Sequence, residues 1–407
     1  MTFAGVAEAP AATLWSPATI RERCRNIQNA AAAGRSRHFR IDRAHLDRAA
    51  AHVEIVTRRR YPDLRVPYHS RWRHFETGGV ARNAALTRAL AGRDAAASAR
   101  ARIDLAVVSV VLDAGAGARW SYVEPGTGQR YTRSEGLAIA SWHAFMSGAF
   151  SARRDDPLRV DAGALVRVDD AALARWFQVD ASNPLVGLEG RASLLRRLGA
   201  ALVAHDDVFG DLDRPGALFD TLSRDRHIID AADLLHVLLE GLGSIWLTGN
   251  AQDGIALGDV WRHPHAGGTD ATAGWVPFHK LSQWLAYSLF EPFEWAGVAV
   301  TGGEKLTALP EYRNGGLLLD TSVLALVDPS AAHAVHEVGS ELVVEWRALT
   351  VALLDELAPL VRARLDAPDL PLACILEGGT WAAGRELAQS LRGGEPPLVV
   401  RSDGTVF

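Results

Sequence analysis

An acid, a phenol and a guanidinium stand side by side at Glu311, Tyr312 and Arg313. Gly315 and Gly316 follow, where backbone without Cβ atoms can approach a ligand or a neighbour closely. Asp320 ends the apolar run behind them. Cleavage of an N-glycosidic bond passes through a cationic, oxocarbenium-like state, so it needs a carboxylate beside the anomeric carbon and a positioned water. Glu311 and Asp320 are the residue types for those two tasks, although a turn carrying a surface ion pair would use the same residues.

Upstream, Pro277 marks an expected helix start that would turn Phe278, Leu281, Leu285 and Leu289 toward the core. Lys280, Gln283, Tyr287 and Glu291 then share a second face. A lysine among aromatics can hold a phosphate or carboxylate as a point charge; a solvated helix face would show the same pattern. Asp113 ends the apolar run 107–112 and opens an Ala/Gly stretch leading to Arg119 and Trp120. An acid in that place either lines a cleft or caps an element. The glycine spacing matches neither phosphate-loop pattern, which argues against a dinucleotide or nucleotide loop.

Arg58, Arg59 and Arg60, followed by His69, Arg71, Trp72, Arg73, His74 and Phe75, form the strongest basic cluster. Such interleaving suits an anion, with one phosphate gripped bidentately, or else a solvated charge run. His263 and His265, with Asp259 upstream, hint at a metal site; the proline between them and the lack of a third clustered ligand argue against it. His227 and His236 read as satisfied core or surface residues. No Gly-x-Ser-x-Gly elbow occurs, and neither cysteine has a histidine nearby, so a nucleophile triad has no local support.

The elements that must carry these residues are mostly helices. Asp169 and Asp170 stand as caps before Leu173, Trp176 and Phe177, and Leu194, Leu195, Leu198 and Leu202 form a second stripe. Asp230 opens a third helix, with Asp233 in its first turn and Gly241 at its close. The longest helix is expected over Glu341–Leu365. Strand signals are fewer: 120–123 and 130–132 flank a Pro125–Gly128 turn, and 398–400 and 405–407 flank Asp403 and Gly404, each reading as a hairpin. The run 107–112 is apolar throughout, and periodicity does not decide between helix and buried strand.

The expected fold is therefore mainly α, one compact unit. Residues 1–100 form an N-terminal helical extension carrying the basic cluster, and 101–407 form the catalytic domain. With 48% hydrophobic residues in 407, a sizeable core is available. A net charge of −5 argues against a nucleic-acid scaffold, which needs a basic face. Cys24 and Cys374 lie too far apart to suggest a disulfide framework and read as reduced thiols. Residues 1–12 lack the basic start and apolar run of a secretory signal, and charges break every apolar stretch short of the roughly 18–20 residues of a membrane span. A soluble, cytoplasmic protein is expected.

Five segments together resemble the uracil-catabolism family of the ring-opening route of pyrimidine breakdown. They are 69–75, Asp113 to Tyr122, Phe278 to Leu285, Leu306 to Gly316 and Leu376 to Trp381. That route leaves a urea attached to ribose, and the resemblance implies a role in releasing it. A more distant likeness, to queuosine 5′-phosphate salvage glycosylases, rests on four features. These are the Asp113–Trp120 separation, the helix with Phe278, Lys280 and Gln283, the Leu306-Thr307 to Glu311-Tyr312-Arg313 motif, and Glu345-Trp346-Arg347. It implies a helical fold akin to DNA glycosylases, with a few short β-hairpins, and hydrolysis of an N-glycosidic bond. Glu311 stands where that relative has Asp, Asn314 and the glycines replace a bulkier turn, and the aromatic stretch after Asp113 becomes Gly and Ala. A leaving group as small as urea would fit that loss, as would a reshaped core.

The resemblance thus implies an N-glycosyl hydrolase of ribosylurea or its 5′-phosphate. Hydrolysis of another N-ribosyl compound or modified nucleotide, and a non-catalytic binding or scaffold protein, are the alternatives. Glu311 would stabilise the ribosyl cation and orient or deprotonate water. Asp113 would bind the urea end or the ribose hydroxyls, and Asp320 is a second acid. Lys280, Tyr312 and Arg313 would hold the ribose and any 5′-phosphate; Gln283, Trp120, His69, Arg71 and Arg73 complete the expected binding set. The scheme requires no metal or cofactor, and the expected partner is a small ribosyl molecule, neither nucleic acid nor membrane.

Overall fold

Ser16 accepts the N–H of Ala18 and Pro17 takes the first helical position, so helix α1 (Pro17–Ala32) starts where its free donors are capped or missing. Helix α2 (Leu46–Arg60) and the short α3 (Arg71–Phe75) follow. The side chain of Asp94 caps helix α4 (Ala95–Val111) by accepting the N–H of Ala97 at 2.6 Å. The apolar run 107–112 is therefore the end of a helix. The cap and the Ala-rich first turns propagate into it, and residues 103–111 are buried on every side. Only the upstream cap distinguishes this from a buried strand.

Beyond it come α5 (Arg133–Met146), α6 (Leu188–Ala204) and α7 (Ala231–Leu242). The chain ends with α8 (Lys280–Trp295), α9 (Tyr312–Asp320), α10 (Glu341–Leu365) and α11 (Trp381–Arg392). A computed structural model describes residues 10–224, 226–401 and 404. The fold is mainly α, as the periodicity predicts, and α10 spans the expected residues. Asp169 and Asp230 cap their helices. Gly241, expected to close α7, lies inside its last turn, where a Cβ would meet the Phe209 ring.

Strands among the described residues occur only as short two-stranded pairs. The 122–123 and 130–131 hairpin forms as expected. Of the second expected hairpin, only the first strand falls on described residues. Residues 399–401 pair in parallel with 335–337, and 405–407 lie outside the described residues. The start of α8 differs from its expectation. Pro277 ends a strand paired with 260–262, and His279, at φ +47°, turns the chain into a helix that begins at Lys280. Asp259 holds this corner, accepting the N–H groups of Phe278 and Lys280 at 2.9 and 3.0 Å. A cap supplied from so far upstream leaves no local signature.

Helix α10 is buried along most of its length, with α1 and α2 packed on one side and α9 on another; α8 packs on α4. No helix among the described residues is long and apolar enough to cross a membrane. Helices α9 and α11 pack closely, and a Cβ on Gly384 would stand 2.0 Å from the Arg313 carbonyl oxygen. Gly384→Ala should therefore cost about 1–3 kcal/mol by overpacking. An unchanged urea-unfolding midpoint would show that the two helices can part freely.

Candidate active site

A cavity of about 340 Å³ opens between the α4–α5 connection, the first turns of α8 and α9, and Trp381 at the start of α11. Each wall brings one polar group whose position follows from its local structure. Asp113 leaves the end of α4, and its carboxylate accepts from Arg71 Nη1 at 2.6 Å and from Ser134 Oγ at 2.7 Å. Arg71 is fully buried and also donates from Nε to Ser109 at 2.6 Å. Burial lowers the Arg71 pKa and the Asp113 charge opposes that. Arg71 thus aims Asp113 into the cavity without lining it.

Glu311 caps α9. One carboxylate oxygen accepts the N–H of Arg313 and the other that of Asn314, both at 2.6 Å. The positive end of the helix dipole supports that charge, and the side chain lines the cavity. Lys280 begins α8 on the facing wall. Burial, with the Arg347 guanidinium adding to it, lowers Lys280 below the usual lysine range, while Glu311, Asp259 and Asp113 pull the other way.

Arg313 lies 4.0 Å above the Trp381 ring and donates from Nε to the Tyr312 hydroxyl at 3.1 Å. Burial acts to lower its pKa, but Tyr312, Glu135 and Glu311 outweigh that and leave it raised. His69, His74, Trp284 and Trp381 form the aromatic floor. His69 is held by Glu377 at 2.8 Å. Burial, followed by the Arg71 charge, pushes His74 well below the usual histidine range, so it presents an uncharged ring at neutral pH.

The cavity therefore collects Asp113, Glu311, Lys280, Tyr312, Arg313 and His69 from the expected set. The others lie elsewhere. Asp320 sits at the far end of α9, about 13 Å along the helix from Glu311. It is locked in a bidentate pair with Arg392 at 2.8 and 2.7 Å. Trp120 is buried and donates to Phe177 O at 3.0 Å. Gln283 ties the start of α8 to Thr307, accepting its N–H at 2.9 Å and donating to its hydroxyl at 2.6 Å. Arg73 pairs with Glu291, and Arg58, Arg59 and Arg60 pair with Glu54, Glu386 and Glu377. These side chains are engaged by partners within the protein, and the face of α8 bearing Gln283, Tyr287 and Glu291 is buried, not solvated.

Sequence reasoning overlooked His74, Ser134, Trp284 and Trp381 as wall residues, although three of them fall inside the motifs that carry the resemblance. The suggested grouping of Asp259 with His263 and His265 does not form. Asp259 is engaged by Arg347 at 2.8 and 2.7 Å.

Comparison with known proteins places likenesses along nearly the whole chain. The family profile described as "Protein of unknown function (DUF1688)" matches residues 13–407. A protein of Lachancea kluyveri named uracil catabolism protein 4 is 38% identical, over 92% of this chain and 93% of its own length. A protein of Schizosaccharomyces pombe named protein urg3 is also 38% identical, over 97% of this chain and 98% of its own length.

Proposed function

The chain belongs to the DUF1688 family, and from that premise we propose that its cavity hydrolyses an N-glycosidic bond of a small ribosyl compound of uracil catabolism, ribosylurea or its 5′-phosphate. The observation that carries the reading is the approach of two oriented carboxylates, Asp113 and Glu311, to one cavity that also holds Lys280 and Arg313. A volume near 340 Å³ suits a molecule of that size.

In this reading the ribose C1–N bond breaks with its electron pair going to the leaving nitrogen. Glu311, fixed on the α9 N-terminus, faces the cationic sugar and takes the proton of the attacking water. Asp113, held by Arg71 and Ser134, accepts hydrogen bonds from the urea N–H groups or the ribose hydroxyls. The leaving nitrogen takes a proton from solvent as Glu311 returns the proton of the attacking water to solvent, and the products are urea and free ribose or its 5-phosphate. Arg313 and Lys280 supply positive charge for a 5′-phosphate, and the aromatic floor keeps water off the sugar.

The pH dependence follows from Lys280. Its cation is lost as pH rises through a lowered pKa, so kcat/KM should fall on the alkaline side below the ordinary lysine value of roughly 10.4. Lys280→Met should lower kcat/KM by roughly 10–100-fold and erase that limb; an unaltered limb would assign it to another group. The reading itself is tested by incubating the protein with ribosylurea, its 5′-phosphate and a set of nucleotides while free urea and free base are assayed. Urea release from either ribosylurea supports it. Base release alone favours another N-ribosyl substrate, and tight binding without turnover favours a non-catalytic role.

A further inference from the structure

A second cluster of chemistry-bearing groups lies outside the cavity, where the segment after α1 meets the first turns of α10. Glu341 and Glu345, four residues apart, project from one face of α10, and His38 reaches them from the other end of the chain. One donor atom from each of the three lies within 4.8 Å of the others. His38 Nε2 stands 3.3 Å from Glu341 Oε1, makes no hydrogen bond among the described residues and is closed to solvent, although a quarter of the side chain is exposed. That spacing is long for a charge-assisted hydrogen bond of about 2.7–2.9 Å. It matches the edge of about 3.3–3.4 Å between two ligands held tetrahedrally at about 2.0–2.1 Å from a metal.

Glu345 gives an independent reason. Its side chain is 2% exposed, yet among the described residues its ion-pair contacts include no arginine or lysine. Its contacts are the Ser36 hydroxyl and the buried His263, whose Nε2 points at the second carboxylate oxygen from 3.4 Å and has no hydrogen-bond partner. His263 Nδ1 takes the N–H of His265 at 3.2 Å, which places the ring proton on Nε2, facing that oxygen. Burying a carboxylate without a cation is costly. An ion beside Glu345 removes that cost, and His263 then acts as the outer hydrogen-bond donor that orients a ligating carboxylate.

We propose that His38, Glu341 and Glu345 bind one divalent first-row transition-metal ion, zinc by the mixed nitrogen and oxygen donor set. His38 and Glu341 are partly exposed and leave the remaining coordination position to water. The ion fastens the segment before the 39–41 strand to the start of α10. This binding is independent of turnover in the cavity, since none of these residues lines it.

The test is zinc titration of chelator-treated, untagged full-length protein, followed by calorimetry and thermal unfolding. One equivalent should bind, and the unfolding temperature should rise by about 2–5 °C at a hundredfold excess over Kd. His38→Ala and Glu341→Gln, both at partly exposed positions, should each weaken binding at least tenfold and abolish most of that rise. Cobalt in place of zinc should give visible absorption bands in the wild type that both variants lose. Absence of zinc uptake by the wild type, or undiminished uptake by both variants, would overturn the proposal.

Discussion

Under the proposed hydrolysis, Glu311→Gln is expected to lower turnover of ribosylurea or its 5′-phosphate by roughly 10²–10⁴-fold while the fold survives. The side chain has two duties, so two variants are needed to separate them. As the cap of α9 it accepts two backbone N–H groups, and Gln can satisfy only part of that, at a cost of about 1 kcal/mol. Its second, proposed duty requires the negative charge to face the sugar. Glu311→Ser keeps a strong cap and removes the acid altogether. It should retain wild-type urea-unfolding behaviour within about 1 kcal/mol and lose activity as deeply as Gln does. A Ser variant that stayed active would reduce Glu311 to a helix cap.

The second large effect is on stability. Asp259→Asn should destabilise the protein by about 3–5 kcal/mol, because it removes a bidentate charge partner of the buried Arg347. Burial alone would push the Asp259 carboxyl up, yet Arg347, the N–H of Lys280 and the Trp261 indole hold it at about 2. The folded value thus lies below the unfolded value of about 3.9. Its contribution is complete above roughly pH 4 and disappears as pH falls toward 2. The Asn variant should therefore show a weaker loss of stability on acidification across that window, read from urea unfolding at several pH values. Because Asp259 also caps α8, the same change should loosen Lys280 and lower kcat/KM. Wild-type stability together with normal kinetics would remove Asp259 from its positioning role.

Helix content, the extent of α10 and the caps at Asp169 and Asp230 were legible because each is written in local spacing. The corner before α8 was not, because its cap comes from Asp259, a residue distant in sequence, and Pro277 serves a strand instead. The parallel pairing of 399–401 with 335–337 was not legible either, because no nearby turn announces it. In the cavity, Asp113, Glu311 and Lys280 were legible from residue type and motif. Arg71, Arg73 and Asp320 do not line it, which residue type alone does not foretell. A charged side chain bound to an internal partner reads the same in sequence as one offered to a ligand, and only the positions of Asp113, Glu291 and Arg392 tell them apart. The two histidine and glutamate elements of the proposed metal site show the converse, since residues some 300 positions apart carry no joint pattern.

The claim at the centre of this account is that the bond broken joins the sugar carbon to nitrogen. It is met most directly by following ribosylurea labelled with ¹³C and ¹⁵N in its urea group by NMR in the presence of the protein. The predicted result is label leaving as intact urea, in step with free sugar. Label appearing as ammonia and carbon dioxide, or remaining on the sugar while the compound binds, would contradict it.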